Sequence, residues 1–195
     1  MKKLFLLLFS ALLLVPATSE ALTFSDADIV IPAKPSGYIR LCAEELSKHL
    51  KMITGGKFAI TSNPKSKVRI YPGKVPAKYD VKKLERDAFY TVVQGNEIYI
   101  AGIDTVAATD PVSLSITPLS RGTLAGVHTF LEEAGIRWLA PGDHNTCAYK
   151  KKVITIPDGA RTNTPVFEER TICDHYNFAE NFNKMDGVCI YCATY

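Results

Sequence analysis

The sequence shows no strong excess of charge of either sign. Lys and Arg together number 23 and Asp and Glu number 20, which gives a formal net charge of +3. A nucleic-acid partner is held largely by the neutralisation of phosphates, so this balance predicts no such partner. The share of hydrophobic residues, 47%, is typical of a globular protein.

Long apolar runs are missing except at the N-terminus. Two lysines precede an almost continuous apolar run from Leu4 to Val15, which ends at Pro16. Small residues follow at the positions that signal peptidase recognises, so residues 1–21 are predicted to be a secretory signal peptide. At about 12 residues, the run is shorter than the roughly 20 that a helix needs to cross a bilayer. We therefore expect an exported protein, secreted or periplasmic, with no membrane attachment after cleavage.

Signatures of several enzyme classes are also absent. No serine lies in a G-x-S-x-G motif, and no G-x-G-x-x-G or G-x-x-x-x-G-K sequence occurs. Glycosidic cleavage needs two carboxyl groups about 5 to 9.5 Å apart. Adjacent acidic residues on one helix or strand point apart, which makes three pairs poor candidates: Glu44 and Glu45, Glu132 and Glu133, Glu168 and Glu169. The couple Asp174 and His175 has suitable chemistry but no predicted pocket, so we expect no catalytic residue and no cofactor.

The five cysteines cannot all pair within one chain. Cys42 falls on the apolar stripe of a predicted helix and is interpreted as a buried free thiol. Four further residues carry donor groups that suit zinc, so a small zinc-binding protein is one alternative: Cys173, His175, Cys189 and Cys192. The C-x-H half of this set is unusual, and unpaired or incidentally paired cysteines without metal are the favoured interpretation.

The pattern of apolar residues predicts an α+β fold, a mixed β-sheet with two helices packed on one face. The first helix is predicted to begin after Ser36 and to end at Gly55, and the second to run from Arg121 or Gly122 to Gly135. Strands are predicted at 28–31, 68–71, 89–93, 97–101, 136–139 and 153–156. The Lys-rich stretch 74–86 is predicted to be a solvated connection with one helical turn. The Pro- and Gly-containing segments 157–159 and 163–165 are predicted to form an interdomain linker.

Two segments near the middle of the chain carry a family resemblance. Residues 121–133, RGTLAGVHTFLEE, and 135–142, GIRWLAPG, resemble the second helix and following strand of the N-terminal accessory domain of bacterial α-glucuronidases. The same domain type precedes the barrel in β-N-acetylhexosaminidases. The resemblance extends over roughly residues 25 to 160 and implies three parts: a signal peptide (1–21), an accessory domain (22–160), and a linker with the truncated start of a catalytic barrel (161–195).

In these families the accessory domain carries no catalytic residue, and the reaction belongs to the following (β/α)₈ barrel. Such a barrel takes about 250 residues, so we expect this chain alone to be inactive and a barrel to be its partner. Residues 165–172, PVFEERTI, are similar to the start of the first barrel strand, and the resemblance nominates Arg170 as the remnant of a sugar subsite. The motif assigned to domain structure and barrel docking consists of Arg121, Gly122, Gly126, Pro141 and Gly142.

Two other residues are candidates for direct contact with a carbohydrate. Asp143 follows a Pro-Gly turn on a predicted loop, and Trp138 could stack on a sugar ring, although core or interdomain packing is the more frequent role of such a tryptophan. Together with Arg170 they define an alternative function, a free-standing carbohydrate-binding module. The first hypothesis is an exported noncatalytic accessory domain whose helix-bearing face packs against a barrel. That hypothesis predicts an uncovered apolar patch on the isolated chain.

Overall fold

The computed structural model of the protein describes residues 21–105, 120–139 and 145–164. The strands and helices of these ranges are, in chain order, β1 (Ala21–Phe24), β2 (Ala27–Val30), α1 (Gly37–Thr54), β3 (Phe58–Thr61), β4 (Arg69–Pro72), β5 (Phe89–Gln94), β6 (Glu97–Gly102), α2 (Gly122–Ala134), β7 (Ile136–Trp138), β8 (Thr146–Ala148), β9 (Ile154–Pro157) and β10 (Gly159–Asn163). A 3₁₀ turn at Val81–Lys83 confirms the helical turn predicted within the Lys-rich connection.

Six of the strands form one mixed sheet in the order β10-β5-β6-β4-β2-β3. β2 is parallel to β3 and β4, and β4 is parallel to β6, whereas β5 is antiparallel to both β6 and β10. The strands predicted at 89–93 and 97–101 are confirmed, and β5 and β6 form a hairpin around Gly95 and Asn96. Gly95 has a φ of 59°, a backbone conformation that suits glycine in a two-residue hairpin turn.

Helix α1 begins and ends at the predicted residues. The side chain of Ser36 accepts a hydrogen bond from the backbone N–H of Ile39, and Gly55 ends the helix in the left-handed conformation with its N–H on the carbonyl of Lys51. Apolar residues of this helix recur at helical spacing, and all of these but the partly buried Ile39 are buried in the core: Ile39, Cys42, Leu46, Leu50 and Ile53. Local capping and periodicity are therefore sufficient to define this element.

Both helices lie on the same face of the sheet and contact each other. α1 covers β2, β3 and β4, and α2 covers β5 and β6. The α+β class with a mixed sheet and two helices is thus confirmed. Between the layers lies a single apolar core, which includes Ile29, Leu46, Leu50, Ile70, Ile98, Ile100, Leu124, Val127, Phe130 and Leu131.

The predicted interdomain linker is wrong over residues 159–163, because these residues form β10. Gly159, with a φ of 115°, reverses the chain after β9, and Ala160 to Asn163 then pair with β5 along the edge of the main sheet. An edge strand with a solvent-exposed, polar sequence shows no apolar alternation, so its sequence looks like that of a loop. The main sheet accordingly extends to Asn163, beyond the predicted boundary at 160.

Two small antiparallel pairs complete the described structure. β1 pairs with β9. The first residue of β1, Ala21, is the last residue of the predicted signal peptide. β7 pairs with β8 to form a second hairpin beside the helices. Within the described ranges, neither helix has the length and apolar character needed to span a membrane.

Candidate functional site

Several predicted site residues lie outside the described residues. They are Pro141, Gly142, Asp143 and Arg170, together with the zinc candidates Cys173, His175, Cys189 and Cys192 and the acidic candidates Glu168, Glu169 and Asp174. Cys42 is a buried free thiol, as predicted, and burial raises its pKa well above the ordinary value. The described ranges contain no group of three or more His, Cys, Asp or Glu side chains that could hold a metal ion.

The glycines of the RGT motif pack inside the domain. A Cβ on Gly122 would lie 2.6 Å from the carbonyl oxygen of Ala88 and 2.8 Å from the backbone nitrogen of Ile103. A Cβ on Gly126 would lie 2.7 Å from the side chain of Ile100. The atoms that approach both glycines belong to this domain's own β5–β6 region, so both glycines are internal packing residues.

The N-terminus of α2 is capped by side chains from distant parts of the chain. Arg121, the residue before the helix, makes no side-chain cap. Asp104 accepts hydrogen bonds from the backbone N–H of Thr123 at 2.9 Å and from its hydroxyl at 2.5 Å, and the hydroxyl oxygen of Tyr38 accepts from the N–H of Leu124 at 3.1 Å. A carboxylate at this position also complements the positive end of the helix dipole.

A second carboxyl group, that of Asp87, lies at the start of α2 together with that of Asp104. Burial raises the pKa of Asp104, although hydrogen bonds from Thr123 and Tyr38 act in the opposite direction. Asp87, which has a φ of 60°, accepts a hydrogen bond from the backbone N–H of Arg121 at 2.9 Å. Both carboxyl groups thus stabilise the start of α2, and this structural role explains why they lie there.

Trp138 belongs to an aromatic cluster between the helices and β7. Its ring lies 5.5 Å from that of His49 and 5.2 Å from that of His128, between ring centroids, and both histidines are almost completely buried. Nδ1 of His49 lies 2.9 Å from the carbonyl oxygen of Glu45 and 3.3 Å from its carboxylate. Since both of these atoms are acceptors, Nδ1 is the protonated ring nitrogen of His49.

The environment of this cluster keeps His128 neutral. Burial, together with the neighbouring His49, lowers the pKa of His128 to about 3. Trp138 is partly buried against these rings. These contacts favour a packing role for Trp138. They do not favour the alternative role, in which its ring stacks on a sugar.

A second group of aromatic residues lies on the opposite face of the sheet. We use the term tyrosine platform for Arg69, Tyr71, Glu97 and Tyr99, which stand on β4 and β6 in register, Arg69 beside Glu97 and Tyr71 beside Tyr99. They alternate with Ile70 and Ile98, which point into the core, so the platform faces away from the helices. No sequence motif indicates this group, because its members become neighbours only through the pairing of two parallel strands.

The platform is connected through the carboxylate of Glu97. The hydroxyl of Tyr71 donates to one carboxylate oxygen at 3.2 Å, and the hydroxyl of Tyr99 donates to the other at 2.6 Å. Arg69 forms an ion pair with the first oxygen at 3.5 Å, and the two tyrosine rings stack with centroids 4.9 Å apart. Burial and Glu97 raise the pKa of Tyr99 to about 12. All four side chains remain partly exposed.

Exposed apolar side chains occur on the outer side of the β7–β8 hairpin. We call Leu139, Cys147 and Tyr149 the hairpin strip, since alternation places them on the side opposite buried Ile136. Leu139 is 73% exposed and Tyr149 is 62% exposed. These side chains lie beside the helices on the same side of the hairpin as exposed Arg137, whereas the outward positions of α1 include charged residues such as Arg40 and Glu44.

Comparison with known proteins gives likeness at the level of fold. No model of a known protein family matches the chain, and no curated protein matches it. Among solved structures, the chain is similar to a family GH115 4-O-methyl-α-glucuronidase with specificity for decorated arabinogalactans, at 17% identity and a TM-score of 0.53. The match covers 77% of this chain and 19% of that chain. The chain shares the fold of part of a GH115 α-glucuronidase.

A mutant β-hexosaminidase of Streptomyces plicatus in complex with its product GlcNAc is also similar, at 13% identity and a TM-score of 0.43. That match covers 73% of this chain and 23% of the hexosaminidase, and at this TM-score it supports no further argument. The chain therefore spans about a fifth of the length of these neighbours. The resemblance carried by the RGT and RWLAPG segments is confirmed as a likeness of fold to glycoside hydrolases.

Proposed function

We propose that this protein is an exported, noncatalytic accessory domain of the glycoside-hydrolase type, which acts in carbohydrate degradation by packing against a (β/α)₈ barrel. The observation that carries the proposal is the fold shared with part of a GH115 α-glucuronidase over 77% of the chain. A domain of this kind stiffens one side of a sugar cleft and supplies no reacting group.

Several carboxyl groups of the described domain have structural roles. Asp87 and Asp104 are engaged at the start of α2, and Glu133 pairs with Arg161 of β10 at 2.8 Å. Glu45 contacts His49. Carboxyl groups that are committed to caps and ion pairs are poorly placed for general acid and base catalysis, which needs two of them across an open cleft.

The hairpin strip is the proposed contact with the barrel. Apolar side chains as exposed as Leu139 and Tyr149 are normally covered when they belong to a domain interface. Because the strip lies on β7–β8, we place the docking surface beside the helices and not on their outward faces. The partner is a second domain, and the contact between the two domains would bury several hundred square ångströms, as is usual between domains.

Sedimentation velocity of the purified exported chain tests this surface. We expect reversible self-association that is reduced in the double variant Leu139→Ser/Tyr149→Ser, because polar side chains remove the apolar contact. Ile60→Ser is the matched control. Ile60 is 36% exposed but lies on β3, which forms the edge of the main sheet opposite to β10. A chain that is monomeric at all concentrations, or self-association that Ile60→Ser reduces equally, would contradict the proposed surface.

The alternative of a free-standing carbohydrate-binding module rested on Arg170, Asp143 and Trp138. Of these, Trp138 is in the described ranges, and its contacts with His49 and His128 favour packing. The zinc alternative depends on residues outside the described ranges. The accessory domain is therefore the function with the best support.

A further inference from the structure

Basic residues are concentrated around the tyrosine platform. Between Lys65 and Arg86 the sequence has eight basic and two acidic residues, whereas the whole chain has an excess of only three positive charges. The second part of this run, residues 74–86, is predicted from the sequence to be a solvated connection. The fold brings its two halves to the same face of the sheet, on either side of the tyrosine pair.

Contacts on both sides of the platform place these halves. The backbone N–H groups of Lys65 and Ser66 donate to the carboxylate of Asp28 on β2, at 2.5 and 2.7 Å, and Asp28 lies next to Arg69 on the platform face. On the other side, the ring of Tyr79 packs on that of Tyr90 of β5, with centroids 5.3 Å apart. Since β4 and β6 lie between β2 and β5, the platform lies between two basic segments.

Two lysines of the second segment extend over aromatic rings. Nζ of Lys74 is 5.9 Å from the ring centroid of Tyr71, and Nζ of Lys78 is 5.0 Å from that of Tyr79. Both lysines are exposed. The ammonium group of Lys74 thus lies at the edge of the platform, and that of Lys78 lies over Tyr79, which packs on the neighbouring strand β5; both remain accessible to an anion.

We propose that the tyrosine platform binds a carboxylate-bearing saccharide, with Lys74, Lys78 and Arg69 recognising the carboxylate and Tyr71, Tyr99 and Glu97 contacting the sugar. Partly exposed aromatic rings provide an apolar surface for the C–H groups of a pyranose, and phenolic oxygens accept hydrogen bonds. The carboxylate of Glu97 has about four acceptor sites, of which three are occupied by Tyr71, Tyr99 and Arg69, so one remains for a hydroxyl group.

The position of Glu97 favours a saccharide over a nucleic acid. Its side chain, 35% exposed, lies in the middle of the platform, and its carboxylate accepts hydrogen bonds from hydroxyl groups, which a saccharide presents in greater number than a phosphate chain. This inference depends on the proposed carbohydrate-related role for the class of ligand. Binding at the platform is nevertheless separate from barrel docking, which is assigned to the hairpin strip.

Titration calorimetry at low salt with an oligogalacturonate tests the inference. We expect saturable binding that is weakened at least about fivefold in Lys74→Gln/Lys78→Gln, because each exposed charge contributes modestly. The matched control is Lys150→Gln/Lys152→Gln, which removes the same charge from exposed residues next to Lys151, whose backbone N–H binds the C-terminal end of α1. Glu97→Gln is expected to weaken saccharide binding as well, and thermal melting verifies that every variant is folded.

Three results would overturn the inference. They are flat titrations with the oligogalacturonate, equal losses in the two lysine double variants, and tighter binding of a single-stranded oligonucleotide that Glu97→Gln strengthens further. Flat titrations would leave the accessory role intact, because a scaffold need not bind sugar. Glycoside hydrolysis by the chain would remove the accessory role without affecting a measured binding site.

Discussion

The hydroxyl oxygen of Tyr38, in the first turn of α1, accepts a hydrogen bond from the backbone N–H of Leu124, in the first turn of α2. The two residues are 86 positions apart in the sequence. One buried side chain therefore ties the N-terminus of the second helix to the first and replaces the cap that Arg121 does not provide.

Tyr38→Phe is predicted to destabilise the protein by about 1–2 kcal/mol, since it leaves the N–H of Leu124 and the carboxyl of Asp104 without this partner. The measurement is the free energy of unfolding in urea. Tyr149→Phe is the control, because its side chain is 62% exposed, and it should change stability by less than about 0.5 kcal/mol. Equal effects of the two substitutions would show that the cap contributes nothing.

Alanine at the two motif glycines should have unequal effects. Gly122→Ala places a Cβ against the backbone of Ala88 and Ile103, which cannot move without distorting the sheet, whereas Gly126→Ala meets the side chains of Ile100 and Phe89, which can shift. We expect both to be destabilising, Gly126→Ala by about 1–3 kcal/mol and Gly122→Ala by more. Urea unfolding midpoints measure the order, and a Gly122→Ala variant as stable as the unsubstituted protein would contradict the packing described.

Helix α1, its caps and the β5–β6 hairpin are predictable from the sequence because their signals are local. Ser36, Gly55 and Gly95 each act within a few residues of their own position. β10 is not predictable in the same way, since its only structural signal is the exposed edge of β5 far away in the chain. The tyrosine platform has the same origin: Tyr71 and Tyr99 are unremarkable in sequence and become neighbours through strand pairing.

Stability should fall in acid because of His128. Its pKa is about 3 in the folded protein and near 6.5 when unfolded, so between these values the unfolded state binds more protons. The contribution is fully present above about pH 6.5 and decreases by about 1.4 kcal/mol per pH unit below it. Urea unfolding between about pH 7 and pH 5 measures the slope.

His128→Leu is the comparison variant for this slope, because leucine cannot take up a proton. The groups that face His128 are His49 on α1, with its partner Glu45, and Trp138 on β7. Their titration is common to both proteins, so it largely cancels in the difference between the two profiles. If the free energy of unfolding depends on pH equally in the two proteins, the pKa of His128 is not lowered in the folded state, which would contradict the prediction.

The two cysteines in the described ranges should differ in reactivity. Cys147 is exposed on β8, whereas Cys42 is buried and its pKa is raised by burial, which disfavours the reactive thiolate. Iodoacetamide at neutral pH should therefore modify Cys147 in the folded protein and Cys42 only in denaturant. Peptide mass mapping distinguishes the sites, and rapid native modification of Cys42 would contradict the buried core of α1.

The proposed noncatalytic accessory role is tested most directly by a hydrolysis assay of the purified protein. Suitable substrates are a glucuronic-acid-bearing xylo-oligosaccharide and chitobiose, with released sugars measured by chromatography. We predict no release above the rate without protein. Release of sugar in proportion to the concentration of the chain, retained through further purification, would contradict the account.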